Sequence, residues 1–393
     1  MRPPLHGVTV VALEQAVAGP FATRQLADLG ARVIKIERPG TGDFARHYDR
    51  RINGLSSHFV WLNRSKESLT LDLKHVDAAT ILERLLARCD VLVQNLAPGA
   101  TDRLGLDSER VRRTHPRMIT CDISGYGTSG PYQPKKAYDL LIQAEAGLLS
   151  ITGTPQTPSK VGISVADIAA GMYAYSGVLT ALLQRAQTNE GAAVEVSLLD
   201  ALGEWMSYAA YYAGFGGDAL PRTGPHHASI APYGPFVAGD GATVYIAIQN
   251  DREWQRFCAD VLQRPELAED PRFASNAQRV SNRAALHAVI EEVFSRPSAA
   301  VIIERLERAQ IANGRMNTMV EFVNHPQLAA RDRWREVDSP VGPVPALLPP
   351  TAIRGAEPVM GPVPEVGQHS EAILLELGFG SDDIARWRRA GAI

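Results

Sequence analysis

Short apolar runs alternate with helical patterns through the first 125 residues of the chain. The first run, at 8–13, has the length of a buried strand, and the helical pattern after it opens near Pro20 and closes at Gly30. Proline at the start of a helix and glycine just past its end are the usual boundary residues. A second apolar run follows at 33–36. This order of strand, helix and strand predicts a mostly parallel sheet covered by helices.

The same alternation continues along the chain and predicts an α/β fold with a large Rossmann-like domain. The later predicted elements are strands at 69–73, 90–93, 118–123 and 194–197, and helices at 78–89, 139–149 and 167–185. One further helix carries the aromatic residues Trp205, Tyr208, Tyr211 and Tyr212. Such a stripe is more typical of a core or a subunit interface than of a cofactor site.

The length of 393 residues exceeds the roughly 250–300 residues at which single cores tend to split, so we expect two domains. After Gly214, loops rich in Gly and Pro lead to a predicted strand at 243–248 and then mainly to helices. We therefore expect a large domain at 1–215, a smaller α+β domain at 216–325, and a final segment at 326–393 that returns to the large domain. Within that segment, the proline-rich stretch 339–366 predicts an extended connection and 370–377 a helix.

Composition limits the partners and the compartment. A net charge of -3 argues against a non-specific nucleic-acid binder, although it leaves room for a local basic pocket. Cys89, Cys121 and Cys258 are far apart and lack CxxC spacing, which fits a reducing compartment. The N-terminus has no signal-peptide pattern, and no window approaches the roughly 18–20 apolar residues of a membrane span. We expect a cytoplasmic protein without nucleic-acid or membrane partners.

The first predicted turn argues against a dinucleotide enzyme. Such a site needs GxGxxG after the first strand, whereas this turn reads EQAVAGPFA with the single glycine Gly19. The P-loop pattern and the GxSxG elbow are also missing from the sequence. The adjacent pair His226 and His227 has no Cys or carboxylate at metal-ligand spacing, and neighbouring side chains on an extended segment point apart. No metal site is expected.

Four basic residues, Arg38, Lys74, Arg103 and Lys136, follow predicted strands or the turns after them. In an open α/β sheet the carboxyl ends of the strands border the ligand crevice. Cations that converge there suit a ligand with several phosphate groups. For each residue alone, a solvated surface charge is the alternative, and only their shared position favours a binding site.

Asp167 is the only charged residue in the stretch 161–183, and it stands at the start of a long apolar helical pattern. An acid at that position can simply cap the helix or interact with its dipole. Its neighbours Ala166, Ala169, Ala170 and Gly171 are small, however, and leave room for a substrate against a nucleophilic carboxylate. These residues alone leave both interpretations open.

Several blocks, in order, resemble the family III CoA-transferases of the formyl-CoA transferase or CaiB/BaiF type. They are AGPFATRQLADLGARVIKIERPGTGD (18–43), NRSKESLTLDLK (63–74), DVLVQNLAPGATDRLGLD (90–107), ISGYGTSGPY (123–132), KAYDLLIQAEAGLLSITG (136–153), VGISVADIAAGMYA (161–174), DPRFASNAQRVSNR (270–283) and GQHS (367–370). The resemblance covers essentially the whole chain. It implies an enzyme that moves CoA between carboxylic acids through aspartyl intermediates. The coenzyme A thioester is then a substrate, and no cofactor is permanently bound.

The resemblance also implies roles for particular residues. Asp167 matches the nucleophilic aspartate, and the turn at Ala18 and Gly19 matches a segment that lies along the thioester. The other residues expected to contact CoA are Arg38, Leu71, Lys74, Asn95, Leu96, Arg103, Lys136, Tyr138 and Asp139. Backbone N–H groups at the start of the Asp167 helix or around Gly224 are candidate oxyanion donors. Family members are interlocked homodimers, so a second copy of the chain is the expected partner.

Two features of the sequence bear on the acid substrate. Formyl-CoA transferase has glutamine where this chain has Ala18, which argues against an oxalate-type substrate. The segment GPHHASIAPYGPF at 224–236 resembles members that act on dicarboxylates such as succinate, glutarate, itaconate or mesaconate. The residues expected to meet a second carboxylate are His226, His227, Ser229, Tyr233 and Arg46, for each of which an ordinary loop hydrogen bond is the alternative.

Two other functions remain as alternatives. The α-methylacyl-CoA racemases share the fold of this family but use a His-Asp pair, with histidine in an HDINY motif where this chain has Tyr138 in AYDLL. Absence of that base argues against racemization. A CoA-binding protein without catalysis is the other alternative, and the presence of both the cations and Asp167 argues against it.

Overall fold

The computed structural model describes residues 2–217 and 219–393. It divides the chain into two compact units. The large unit comprises the residues up to Ala146 together with Val161–Ser207 and Ala330–Ile393, and the small unit comprises Gly147–Lys160 and Tyr208–Ala329.

A six-stranded sheet forms the centre of the large unit. Its strands are β1 (Thr9–Leu13), β2 (Arg32–Glu37), β3 (Lys66–Thr70), β4 (Val91–Gln94), β5 (Ile119–Ser124) and β6 (Ala193–Ser197). Their order across the sheet is β3-β2-β1-β4-β5-β6, and all neighbours are parallel. The strand order reverses beside β1, and in such sheets ligands bind at the carboxyl ends next to this point. The predicted α/β class is confirmed.

The position of β3 differs from the prediction. The sequence favoured 69–73, where apolar residues predominate, but the strand runs from Lys66 to Thr70. Lys66 and Ser68 are buried polar residues, so the pattern of apolar residues does not reveal this part of the strand. Leu71 lies just beyond the strand, buried, with its N–H bonded to the carbonyl of Glu37.

Helices cover the sheet and continue into the small unit. In chain order they are α1 (Ala18–Asp28), α2 (Ser57–Asn63), α3 (Ala78–Leu86), α4 (Ala100–Leu104), α5 (Ser108–Thr114), α6 (Asp139–Glu145), α7 (Leu148–Ile151), α8 (Val165–Thr188), α9 (Leu198–Trp205) and α10 (Ser207–Gly216). Helix α3 places Ile81, Leu82 and Leu85 in a buried cluster with side chains of β1 to β4.

The long helix α8 packs against α1 and β6. A Cβ atom added at Gly171 would lie 2.8 Å from the carbonyl oxygen of Ala18, and one at Gly177 would lie 2.7 Å from Val194. Both contacts require glycine. By length and composition alone α8 could cross a membrane, which the sequence analysis did not anticipate. Its packing identifies it as a core helix of a soluble protein.

The small unit holds a three-stranded antiparallel sheet of β7 (Tyr233–Val237), β8 (Thr243–Ala247) and β9 (Ala312–Arg315). Its later helices are α11 (Asp251–Arg256), α12 (Asn276–Ser281), α13 (Arg283–Phe294), α14 (Ala299–Arg308), α15 (Met319–Val323) and α16 (Pro326–Ala330). Trp254, Phe257, Phe273 and Phe294 lie in its core.

The final segment forms an antiparallel hairpin, β10 (Trp334–Val337) and β11 (Val344–Leu347), and two helices, α17 (Ser370–Glu376) and α18 (Ser381–Arg389). The hairpin lies partly within the stretch predicted as an extended connection. The GQHS motif borders the edge strand β3: the His369 N–H donates to the carbonyl of Ser68, and Nδ1 of His369 accepts from the Ser68 N–H. The Thr70 N–H donates to Oγ of Ser370. These bonds satisfy backbone groups that an edge strand otherwise leaves unpaired.

Candidate active site

Four buried charges lie beneath the turn between β1 and α1. Glu14 accepts from Nζ of Lys66 at 2.6 Å, and Nζ of Lys35 donates to Oδ2 of Asp43 at 2.9 Å. Burial opposes ionisation of Glu14, but the two lysines outweigh it and hold its pKa below the ordinary value. Charges without access to water are stable only when paired in this way. The network therefore fixes the base of the turn.

Asn95 and Asp43 hold the backbone of the turn itself. The Asn95 side chain accepts from the Gln15 N–H at 2.8 Å and donates to the Gln15 carbonyl at 2.9 Å. Oδ1 of Asp43 accepts from the N–H of Ala16, which has a φ of 62°. Both polar atoms of the Asn95 amide are thus bonded within the protein. The predicted contact of Asn95 with CoA stays a prediction. Its two hydrogen bonds with the backbone of Gln15 are observed.

This turn brings Ala18 and Gly19 beside helix α8. The Ala18 carbonyl lies against Gly171, and Gly19 is packed so closely that a Cβ would lie 2.9 Å from Glu14. Asp167 precedes Gly171 by four residues, and residues four apart share one face of a helix. Asp167 therefore lies on the face of α8 that carries Gly171, one helical turn before the contact with Ala18.

Asp167 lies in the first turn of α8, partly buried. Oδ1 of Asp139 accepts from the Ala166 N–H at 2.8 Å and from the Asp167 N–H at 3.4 Å. Nε2 of Gln143 donates to Oδ2 of Asp139 at 2.7 Å. Asp139 therefore caps this helix end. Within the described part of the chain, the carboxylate of Asp167 has no hydrogen-bond or ion-pair partner.

The pKa of Asp167 is raised to about 7, first by burial and second by the negative charge of Asp139. A carboxyl group with a strongly perturbed pKa beside a turn is typical of a functional site. The N–H groups at the helix start that were candidate oxyanion donors are not free, because Asp139 accepts from both. The Gly224 N–H is likewise bonded, to the carbonyl of Gly153.

Tyr48 is a residue near this site that the sequence analysis missed. Its pKa is raised to about 12 by burial, with contributions from the charges of Asp43 and Asp167 and from Tyr138. Tyr48 therefore lies within electrostatic reach of Asp167, although about half of it is exposed. A single aromatic residue in a loop follows no periodic pattern, so the sequence offers no signal for it.

The predicted cations lie where the sheet topology places ligands. Arg38 directly follows β2, Lys74 follows β3 and Arg103 lies in α4, which follows β4. All three are exposed, as is Lys136 before α6, and none forms an ion pair within the described residues. Leu96 is partly buried after β4, and Tyr138 is 67% exposed. Their contact with the phosphate groups of CoA stays a prediction.

Arg46 differs from the other predicted acid-binding residues. Its guanidinium donates twice to Glu37, at 2.8 and 2.7 Å, and lies 3.6 Å from the ring centroid of Phe59. Its donors are engaged within the large unit. The remaining predicted residues lie in the small unit, where the His227 ring stacks on Tyr233 at 5.2 Å and Nδ1 of His227 accepts from the Ser229 N–H.

The described residues form an α/β protein in which the Asp167 carboxylate has no hydrogen-bond or ion-pair partner. Exposed cations follow β2, β3 and β4 of its parallel sheet. Residues 5–370 match the model of CoA-transferase family III. The chain belongs to this family, and the resemblance predicted from the sequence is confirmed. It is an enzyme that takes acyl-CoA as substrate and requires no resident cofactor.

Relatives of known activity cover most of the chain. Acetyl-CoA:oxalate CoA-transferase of Acetobacter aceti is 38% identical over 331 residues, 84% of this chain and 85% of that protein. Succinyl-CoA:glutarate CoA-transferase of Homo sapiens is 33% identical over 380 residues, 95% of this chain and 86% of that protein. A solved CAIB/BAIF family protein from Brucella suis matches with a TM-score of 0.83 and 34% identity, over 96% of this chain and 100% of that one.

Proposed function

We propose that this enzyme transfers CoA from an acyl-CoA donor such as succinyl-CoA to a C4–C5 dicarboxylic acid such as itaconate, mesaconate or glutarate, with Asp167 as the nucleophile. The observation that carries the proposal is the partly buried carboxylate of Asp167, which has no partner among the described residues and shares a helix face with Gly171, against Ala18. Its pKa of about 7 leaves a substantial ionised fraction at neutral pH.

The proposed reaction exchanges acyl partners without loss of atoms. The Asp167 carboxylate attacks the thioester carbonyl, and the C–S bond breaks to give a mixed anhydride and CoA thiolate. The thiolate attacks the aspartyl carbonyl of the anhydride, releasing the donor acid and leaving an aspartyl-CoA thioester. The acceptor carboxylate then displaces the thiolate, which attacks the new acyl carbonyl and frees Asp167. Two covalent steps on each side replace one difficult exchange.

We propose that CoA binds through Arg38, Lys74, Arg103 and Lys136, with Leu71, Leu96, Tyr138 and Asp139 near its pantetheine arm. All four cations are exposed and have no carboxylate partner among the described residues, which supports this role, because phosphate groups then replace water around them without breaking ion pairs. Binding energy from the large CoA body can then be used at the reacting carbonyl.

Oxalate is the second candidate acceptor. The 38% identity to the Acetobacter aceti acetyl-CoA:oxalate enzyme favours it. The alanine at position 18 and the polar segment with His226, His227, Ser229 and Tyr233 favour a longer dicarboxylate. Comparing oxalate with C4–C5 acids in one assay separates the two candidates.

We also propose that the active form is a homodimer and that it works in the cytoplasm. Aromatic residues around α10 support the dimer, since Tyr211 is 68% and Phe215 88% exposed in the single chain. Exposed aromatic surface of this kind is typical of an interaction site. Light scattering of the purified protein tests the dimer, and a fully active monomer would contradict it.

The direct test is covalent trapping. The purified protein is incubated with succinyl-CoA, with and without a panel of mono- and dicarboxylic acids, and trapped with hydroxylamine or borohydride before peptide mass spectrometry. We expect modification at Asp167 and new acyl-CoA only with C4–C5 dicarboxylates, and neither in Asp167→Ala. Binding of CoA without modification of Asp167 by any donor would remove the nucleophile. Efficient transfer to monocarboxylates alone would remove the proposed acceptor class.

A further inference from the structure

Side chains of the block DPRFASNAQRVSNR (270–283), in the small unit, form hydrogen bonds with the backbone of residues 227–231, which include the predicted acid-binding residues His227 and Ser229. Nδ2 of Asn276 donates to the Ser229 carbonyl at 2.9 Å, and Oδ1 of Asn276 accepts from the Ala231 N–H at 3.2 Å. One amide side chain thus bonds the backbone on both sides of Ile230.

Arg279, in the same block, binds the carbonyl at the end of this stretch. Nε of Arg279 donates to the Ala231 carbonyl at 2.9 Å, and its NH1 group donates to the Phe273 carbonyl at 3.0 Å. The guanidinium of Arg279 is buried and lies 5.0 Å from the ring centroid of Trp254.

Arg283 binds the start of the segment. Its NH2 group donates to the carbonyl of His227 at 2.7 Å and to the carbonyl of Ala228 at 3.0 Å. Together with Asn276 and Arg279, Arg283 accounts for the carbonyls of residues 227, 228, 229 and 231. We call this stretch the held segment (227–231).

Several polar side-chain atoms near the held segment are buried. NH1 of Arg283 and Nε2 of His287 are buried without a hydrogen-bond partner among the described residues, whereas the Tyr233 backbone offers the His226 ring a hydrogen bond. The rings of His226 and His287 lie with their centroids 4.4 Å apart. Buried polar atoms without partners destabilise a fold, so these two atoms need another reason to exist. Recognition of a polar ligand by the neighbouring loop would supply that reason.

We propose that Asn276 and Arg283, with Arg279 beneath them, are positioning residues that hold the backbone of the held segment in the shape that receives the acid substrate. The proposal rests on the proposed function and on the prediction that His227 and Ser229 are among the residues that meet the distal carboxylate of the acid. None of the three side chains needs to touch the acid. They bind backbone carbonyls of the held segment. In this way they fix its backbone conformation, and with it the orientation of the His227 and Ser229 side chains.

The test compares Arg283→Met, Arg283→Lys and Asn276→Ala with the control Arg272→Ala. Arg272 lies in the same block but is exposed, and among the described residues its side chain donates only to Asp270, two residues away. We expect Arg283→Met and Asn276→Ala to raise KM for the acceptor acid about tenfold or more, since each loses a charge-assisted or paired hydrogen bond. The dissociation constant of free CoA should stay within about twofold of the parent value, because its proposed site uses other residues. Arg283→Lys, which keeps one donor, should recover part of the loss.

The outcomes separate this proposal from the proposed function. Failure of the parent enzyme to form any adduct at Asp167 overturns the proposed function. Normal adduct formation by the parent enzyme, with acid KM unchanged in both Arg283→Met and Asn276→Ala, overturns only the positioning role. Equal losses for CoA binding and acid KM would also overturn it, because they would indicate general unfolding. Circular dichroism on each variant identifies unfolding, and Asn276→Asp provides a second probe if Arg283→Met does not fold.

Discussion

The carboxylate of Asp139 caps the helix that carries Asp167, accepting a hydrogen bond from the Asp167 N–H at 3.4 Å and a shorter one, at 2.8 Å, from the Ala166 N–H. Two acids with different environments therefore share one helix end. Asp139 has hydrogen-bond donors for both of its oxygens, including Nε2 of Gln143, whereas Asp167 has none within the described residues. Asp139 thus performs the capping role that the sequence left open for Asp167.

Replacing Asp139 by asparagine tests this division of roles. Burial is the larger cause of the raised pKa of Asp167 and the charge of Asp139 the smaller one, so Asp139→Asn should lower that pKa only in part. The asparagine oxygen can still accept from the Ala166 N–H, which preserves the cap. We expect the acid limb of kcat/KM, near pH 7 in the parent enzyme, to move down by roughly one pH unit or less. An unchanged acid limb in Asp139→Asn would show that the two acids do not interact.

Stability should change with pH at Asp167. In the unfolded chain its pKa is near 3.8, whereas in the folded chain it is about 7. Between these values the unfolded chain is ionised and the folded chain is protonated, so the carboxyl lowers stability as pH rises from about 4 to 7. Asp167→Asn removes the group and should raise the free energy of unfolding above pH 7, by up to about 4 kcal/mol, with the gain fading towards pH 4. Urea unfolding at pH 4.5 and 8 measures the difference, and equal gains at both values would contradict it.

Much of the fold was predictable because parallel strands buried on both faces are continuous apolar runs. Strands β1, β2, β4 and β5 were predicted to within one or two residues for this reason. Strand β3 was displaced because Lys66 and Ser68 face a buried charge network rather than an apolar core. The partners of those side chains lie far away in sequence, and no local pattern reveals them.

The candidate site was predictable only in part for the same reason. The cations and Asp167 follow from strand ends and from a lone charge in an apolar helix. The hold of Asn95 on Gln15 spans 80 residues of sequence, and that of Asn276 on Ser229 spans 47. Such contacts depend on tertiary packing. Blocks of sequence resemblance point to these residues without saying what they do.

The exposed residues Arg38, Lys74 and Arg103 should affect KM for acyl-CoA more than kcat. In the proposed CoA site, Arg38→Ala, Lys74→Ala and Arg103→Ala would each remove a charge-assisted contact to a phosphate group, commonly about 1.5–3 kcal/mol. We expect KM for acyl-CoA to rise about tenfold or more in each variant, with a smaller change in kcat. The control is Arg113→Ala, since Arg113 is also exposed but pairs with Glu109 one helical turn away. Similar effects in the control and in the three variants would indicate a general effect of charge instead of a binding site.

The close contact between Ala18 and Gly171 should leave no room for a side chain at position 171. A methyl group at position 171 would lie 2.8 Å from the Ala18 carbonyl oxygen, so Gly171→Ala must displace either α8 or the turn that faces Asp167. We expect a loss of about 1–3 kcal/mol in the free energy of unfolding and a fall in kcat, because both the packing and the position of the turn change.

Gly203→Ala is the matched control: Gly203 lies in α9, also in the large unit, and its added Cβ meets no atom within 4 Å. That variant should keep full activity and gain up to about 1 kcal/mol from the better helix propensity of alanine. If Gly171→Ala were as stable and active as Gly203→Ala, the turn would not be fixed against α8, and its proposed place along the thioester would lose its structural support.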